Sequence, residues 1–213
     1  MLMETWWQGG AVAVAGFAAG TIDAIAGGGG LIQFPALLLT LPAQPLPALL
    51  GTNKLASIAG TSMAVGQYVQ KVGIPRPIWW GTIAAALGSY IGARLTDSLP
   101  VAWLRPLILV LLLGVWLFTA LRPRFGLTAQ PKSSQPQIWG IGAIALTLGF
   151  YDGFFGPGTG TFLTFALVGF LGFDFLQATA AAKLLNWATN FGALLHFVPR
   201  HQILYLVALP IAL

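Results

Sequence analysis

Thr21-Ile22-Asp23-Ala24-Ile25-Ala26-Gly27-Gly28-Gly29-Gly30 ends a long apolar stretch in four consecutive glycines. Each glycine costs a helix about 1 kcal/mol relative to alanine, so the helix predicted over 9–26 breaks here. A second such break follows at Gly149-Phe150-Tyr151-Asp152-Gly153-Phe154-Phe155-Gly156-Pro157-Gly158-Thr159-Gly160. There Pro157 removes a backbone donor as well and stops the ladder more firmly. In both places an aspartate, Asp23 or Asp152, sits one helical turn before the break.

The solvent around these breaks follows from composition. Of 213 residues, 10 are Lys or Arg, 5 are Asp or Glu and 2 are His; 7% are charged and 57% hydrophobic. Mean hydropathy is +0.82. A soluble domain needs about 25% charged residues to cover its surface, so a water-soluble enzyme is excluded and a membrane protein is predicted. The net charge of +5 reads as loop cations that set orientation, not as a nucleic-acid footprint. The chain has no cysteine, which excludes disulfides, thiolate metal sites and a cysteine nucleophile. Few charges precede Asp23, so the first apolar stretch reads as retained and not as a signal peptide.

A helix needs about 20 apolar residues to cross the hydrocarbon. Spans are predicted at 9–26, 47–70, 77–96, 102–121, 138–155 and 177–198, with another starting near 202. The segments 31–41 and 161–171 are too short to cross alone. Residues 122–137, with Arg122, Arg124, Lys132 and three prolines, read as a cytoplasmic linker between a first membrane repeat, 1–121, and a second, 138–213. Lys71, Arg76, Arg122, Arg124, Lys132 and Arg200 sort to one face, which makes that face cytoplasmic, and Arg94 and Arg105 sort to the other beside Asp97.

The two halves repeat at an offset of 129 residues, which carries Gly20, Asp23, Gly27, Gly29, Lys54 and Leu55 onto Gly149, Asp152, Gly156, Gly158, Lys183 and Leu184. Counting one crossing for 9–41, the offset contains four spans. The fold class is then all-α: a polytopic transmembrane bundle of two parallel four-span repeats with glycine-broken helices. Two crossings there would reverse the parity. Counterparts of 77–96 and 102–121 would fall near 206–225 and 231–250, so the last spans are expected to be truncated.

An unwound backbone survives in a bilayer only where protein or water satisfies it, so twin breaks predict a cavity. Helices restarting near Leu31 and Thr161 would aim amides and a positive dipole end into it. The candidate anion-binding residues are Gly27, Gly28, Gly29, Gly30, Gly156, Gly158, Thr159 and Gly160 of the breaks. To these are added Lys54, Ser57 and Thr61, and Lys183, Asn186 and Asn190, two trios spaced i, i+3, i+7 on single helix faces. Asp23 and Asp152, costly in a membrane unless paired or protonated, are candidates for proton coupling or for pairing with the lysines, and each could also cap its break. Gln33, Thr159 and Thr161 are read as further candidates for the cavity lining. Gly16/Gly20 and Gly88/Gly92, at GxxxG spacing, read as helix packing. His196 and His201 are expected at the membrane interface. No catalytic residue, metal site or cofactor is read from the sequence.

The motifs Ala26-Gly27-Gly28-Gly29-Gly30-Leu31-Ile32 with Pro35, and Gly149 to Gly160 as quoted, resemble the sulfite exporter TauE/SafE family of membrane transporters. The resemblance implies a bacterial inner-membrane, multi-pass permease for small anions, notably sulfite, sulfonates and related organosulfur compounds. Its partners would be a small anionic substrate and the lipid bilayer, without nucleic acid, and a homo-oligomer is compatible with it. Two other readings compete. An intramembrane aspartyl hydrolase would bring Asp23 and Asp152 together to share a proton. A non-transporting scaffold would tolerate loss of Lys54 and Lys183.

Overall fold

The computed structural model describes residues 6–26, 28–98 and 138–212, with isolated helical positions between 102 and 121. Gly27, the linker 122–137 and most of the span predicted at 102–121 lie outside the described residues. Among the described residues every regular element is a helix. They are α1 (Trp6–Ala26), α2 (Gly30–Thr40), α3 (Leu46–Lys71) and α4 (Arg76–Ser98), then α5 (Ile138–Phe154), α6 (Thr159–Leu171), α7 (Phe175–Phe197) and α8 (Tyr205–Ala212). The offset of 129 carries Gly30, Leu46 and Arg76, which open α2, α3 and α4, onto Thr159, Phe175 and Tyr205, which open α6, α7 and α8.

The direction of the repeats is not the expected one. Gly51, early in α3, packs against Phe197 at the end of α7. Near the other end Trp187 Nε1 donates to Ser62 Oγ at 2.9 Å. These equivalent helices are therefore antiparallel, and the halves are inverted. Helix α4 runs parallel to α5, since Gly81 meets Ile141, Gly88 meets Leu146 and Gly92 meets Phe150 in step. The reason lies in α2 and α6, which with 11 and 13 residues extend only about 16 and 20 Å. Too short to cross, each returns to the end from which its partner came. Thus α1–α2 is a hairpin entering from the end of the bundle that holds Asp97, and α5–α6 a hairpin entering from the end that holds Lys71. The added reversal changes the parity from parallel to inverted.

Sequence chemistry accounts for each turn. Pro45 and Pro47 start α3, and Lys71 occupies its last turn, where a cation favours the carbonyl end. Asp174 caps α7 by accepting from the Gln177 amide at 2.9 Å. Helices α4 and α5 meet glycine to backbone: a side chain on Gly88, Gly92, Gly149 or Gly153 would overlap main-chain atoms of the other helix. The packing expected of Gly88/Gly92 is therefore present, whereas of Gly16/Gly20 only Gly16 is in contact, against Ile211. Two cores result. One holds Phe34, Leu46, Leu49, Leu50, Phe155, Phe197 and Ile203 at the Asp97 end. The other holds Ile78, Ile141, Leu163, Leu167 and Leu185 at the Lys71 end.

Among the described residues no helix is both long and apolar enough to cross a membrane by the usual hydropathy measure. Helix α3 shows why: its 26 residues would extend about 39 Å, but Thr52, Asn53, Lys54, Ser57, Thr61 and Gln67 dilute its hydropathy.

Candidate functional site

The hairpin tips touch. A Cβ placed on Gly30 would lie 3.4 Å from Pro157 Cα, and one on Gly28 would lie 3.4 Å from Thr161 Oγ1. The two breaks are built differently. Gly156 and Gly158 adopt φ of 100° and 84°, a left-handed conformation that side chains resist. Gly29 has an ordinary φ of −54° and owes its identity to crowding, since a Cβ there would fall 2.8 Å from Asp23 Cβ. The second tip is also tied by Tyr151, whose hydroxyl donates to Pro157 O at 2.7 Å, and by Thr159 Oγ1, which donates to Gly156 O at 2.6 Å.

Around the tips the lysines and aspartates pair across the repeats. Lys54 Nζ of the first half lies 2.7 Å from Asp152 Oδ2 of the second, with side chains 1% and 2% exposed. Lys183 Nζ of the second half lies 2.8 Å from Asp23 Oδ2 of the first, with side chains 2% and 23% exposed. Lys183 also donates to the main-chain oxygen of Asp23, and the Gly29 amide donates to Asp23 Oδ1 at 3.3 Å. Asp23 thus combines pairing with the capping role that the sequence left open. The Lys54 contact is an ion pair, and no aligned hydrogen bond reaches Asp152 Oδ2. Neither aspartate is bonded to the other among the described residues, so the shared-proton dyad is not assembled.

A cavity of about 510 Å³ lies beside these pairs. Asp23, Gly29, Gly30, Lys54, Ser57, Thr61, Asp152, Gly156, Gly158, Thr159, Gly160, Asn186 and Asn190, all candidates from the sequence, line it. Gly28 and Lys183 do not; Gly28 is buried at the tip contact and Lys183 is turned toward Asp23. The Thr61 hydroxyl is engaged by its own helix, donating to Ser57 O at 2.8 Å. Gln33 and Asn53 also line the cavity. Gln33 Nε2, Asn190 Nδ2 and Asn53 Oδ1 are buried with no hydrogen-bond partner among the described residues. Buried polar atoms of this kind call for an explanation, and two amide donors beside Lys54 suit a ligand that accepts hydrogen bonds. Asn53 was not singled out from the sequence, although an asparagine adjacent to a buried lysine is the signal that finds it.

A second group forms at the Asp97 end. Asp97 lies 2.8 Å from His196 Nε2, 2.9 Å from Gln202 Nε2 and 3.2 Å from Arg200 Nε. This corrects two expectations. Arg200 belongs to the Asp97 end and not with Lys71, because the inverted second half ends there. His196 is buried, at 1% exposure, while His201 is exposed.

The match to known proteins agrees with the residues at the breaks. The family model for the sulfite exporter TauE/SafE matches residues 12–213. A "Probable membrane transporter protein" of Haemophilus influenzae is 39% identical over 193 residues, 90% of this chain and 74% of that protein. The "Probable membrane transporter protein ORF9" of a Sinorhizobium species is 39% identical over 183 residues, 84% of this chain and 68% of its own. The "Probable membrane transporter protein YfcA" of Escherichia coli K12 is 36% identical over 184 residues, 84% of this chain and 66% of its own. No solved structure matches the chain. By the reach of that family model and the identity of these relatives, the chain belongs to the sulfite exporter TauE/SafE family, a family of membrane transporters and not of enzymes.

Proposed function

We propose that the protein is a multi-pass permease of the bacterial inner membrane that moves small anions, of the sulfite, sulfonate or related organosulfur class, through the cavity between the glycine breaks. The observation that carries this reading is that a buried Lys54–Asp152 pair lines the same cavity as the Gln33 and Asn190 amides, whose buried nitrogens have no hydrogen-bond partner among the described residues. The distribution of polarity supports the membrane setting. Lys54, Asp152 and Lys183 are buried, while Trp79, Trp80, Ile83, Leu87, Ile91 and Leu95 form an exposed stripe along α4. Such an inside-out pattern suits lipid. Inverted repeats with interrupted helices near the midplane are a recurrent transporter plan.

Two lysines and two aspartates sum to zero, so the site gains an affinity for anions when a carboxylate takes up a proton and releases its lysine. Proton-coupled movement follows. The anion would sit among Lys54, Ser57, Asn186, Asn190 and the tip glycines, with Asp23 and Asp152 managing the proton. Flux of labelled sulfite, sulfate and a sulfonate in sealed proteoliposomes tests this, with one of the longer relatives beside it. The expected result is uptake that responds to an imposed pH gradient and falls at least tenfold in Lys54→Ala. Flux indifferent to the gradient removes the coupling; flux equal to protein-free liposomes for every anion removes the permease reading.

A further inference from the structure

The inverted offset carries Gln67, Lys71 and Gly73 at one end of the bundle onto His196, Arg200 and Gln202 at the other, and the two ends are not in the same state. At the Lys71 end, Gln67, Tyr68, Lys71 and Val72 line a second opening of about 430 Å³. It shares Gly20, Asp23, Gly60 and Met63 with the central cavity, so the two adjoin. At the Asp97 end the equivalent His196, Arg200 and Gln202 converge on one carboxylate. Beneath them Phe34, Leu46, Leu49, Leu50, Phe155, Phe197 and Ile203 fill the space between breaks and surface, none more than 6% exposed. Leu204 N also donates to Thr52 Oγ1 at 2.9 Å, tying the start of α8 to α3.

We infer that Asp97 is the keystone of a gate: its contacts with His196, Arg200 and Gln202 hold the bundle shut at that end while the cavity is open at the Lys71 end. The inference rests on the reading of the cavity as the solute path. Three features argue for a device that lets go over a static brace. Asp97 gathers His196 from the last turn of α7 and Arg200 and Gln202 from the connection that follows, so one carboxylate at the end of α4 controls the whole segment. It is partly exposed, at 28%, so water can replace its partners at modest cost. His196 Nδ1 is buried with no partner among the described residues, while Tyr90 meets the ring edge-on at 6.0 Å. A buried ring nitrogen left unsatisfied raises the energy of the closed arrangement and brings it nearer to the open one. In the alternate state the Asp97 cluster opens, and the solute leaves on that side.

Because the chain has no cysteine, accessibility of single introduced cysteines tests the gate directly. Ser57→Cys reports on the cavity, Gln70→Cys marks the Lys71 end and Ala43→Cys marks the Asp97 end. Each is labelled by a membrane-impermeant maleimide in spheroplasts and in inverted vesicles. With native Asp97, Ser57→Cys is expected to react only from the side that labels Gln70→Cys. Adding Asp97→Ala is expected to raise its labelling from the Ala43→Cys side about tenfold, the population change that follows loss of one charged hydrogen bond, and to lower it from the other. Arg200→Gln should act in the same direction with smaller amplitude. Unchanged labelling in both variants, with normal insertion of the reference cysteines, overturns the gate and leaves the permease reading intact. Equal gains from both sides mean a leak and also overturn it. Failure of Ser57→Cys to react from either side in the native background takes down the cavity reading with it.

Discussion

The two cross-repeat ion pairs are chemically identical and physically different. Lys54–Asp152 is sealed, with both side chains at 2% exposure or less, whereas Asp23 of the Lys183–Asp23 pair is 23% exposed and holds the Gly29 amide as well. Inverted halves would give two equivalent pairs if the bundle were symmetric. Unequal exposure is what a cavity open at one end produces. The sealed pair then keeps the site charged yet dry, and the open pair meets the solution.

The largest expected effect separates the pairs outright. Lys54→Ala strands Asp152 as an unpaired buried carboxylate, which costs about 3–5 kcal/mol. Lys183→Ala leaves Asp23 in contact with water and its amide, at about 1–2 kcal/mol. Thermal unfolding of the detergent-purified variants checks this, and equal losses would erase the distinction between the pairs.

An intermediate effect concerns the tips beside them. Gly158→Ala forces a side chain into φ of 84° and is expected to cost about 1–2 kcal/mol. Gly28→Ala meets only Thr161 Oγ1 and Leu31 Cδ1 at 3.4 and 3.6 Å, so it should cost a few tenths of a kcal/mol. The same unfolding midpoints decide it, and a Gly28→Ala loss matching that of Gly158→Ala would show that the left-handed φ does not set the second tip apart from the first.

Asp23→Asn keeps one side-chain oxygen acceptor but leaves the buried Lys183 without its counter-charge, at about 1–3 kcal/mol in the fold. Its effect on coupling is the sharper test. If the open carboxylate takes the proton, anion flux persists but no longer responds to a pH gradient. A response left intact would move the proton to Asp152.

What the sequence made legible were the features that are anomalous for an apolar chain. Four glycines, a proline between glycines, and single Asp and Lys residues inside long apolar stretches mark their own positions, and the fixed offset joined them into two halves. The orientation of the halves was not legible, because it turned on whether residues 31–41 continue or return. Their length argued for a return, but a count of full spans treated 9–41 as one crossing. Partner choice was hidden for another reason. Lys54 meets Asp152 and Lys183 meets Asp23 across 98 and 160 positions of sequence, and no local spacing reports such contacts. Arg200 was sorted by the same span count and moved with it.

The glycine-to-backbone seam between α4 and α5 has a consequence for how the protein moves. With Ser89 and Phe150 carbonyls seated where side chains would be, the two helices cannot slide without main-chain collision, so they travel as one plate. Helix α4 comes from the first repeat and α5 from the second. The tight seam therefore joins one half of the chain to the other, and a chimera that exchanges one half for a relative's would cut through it.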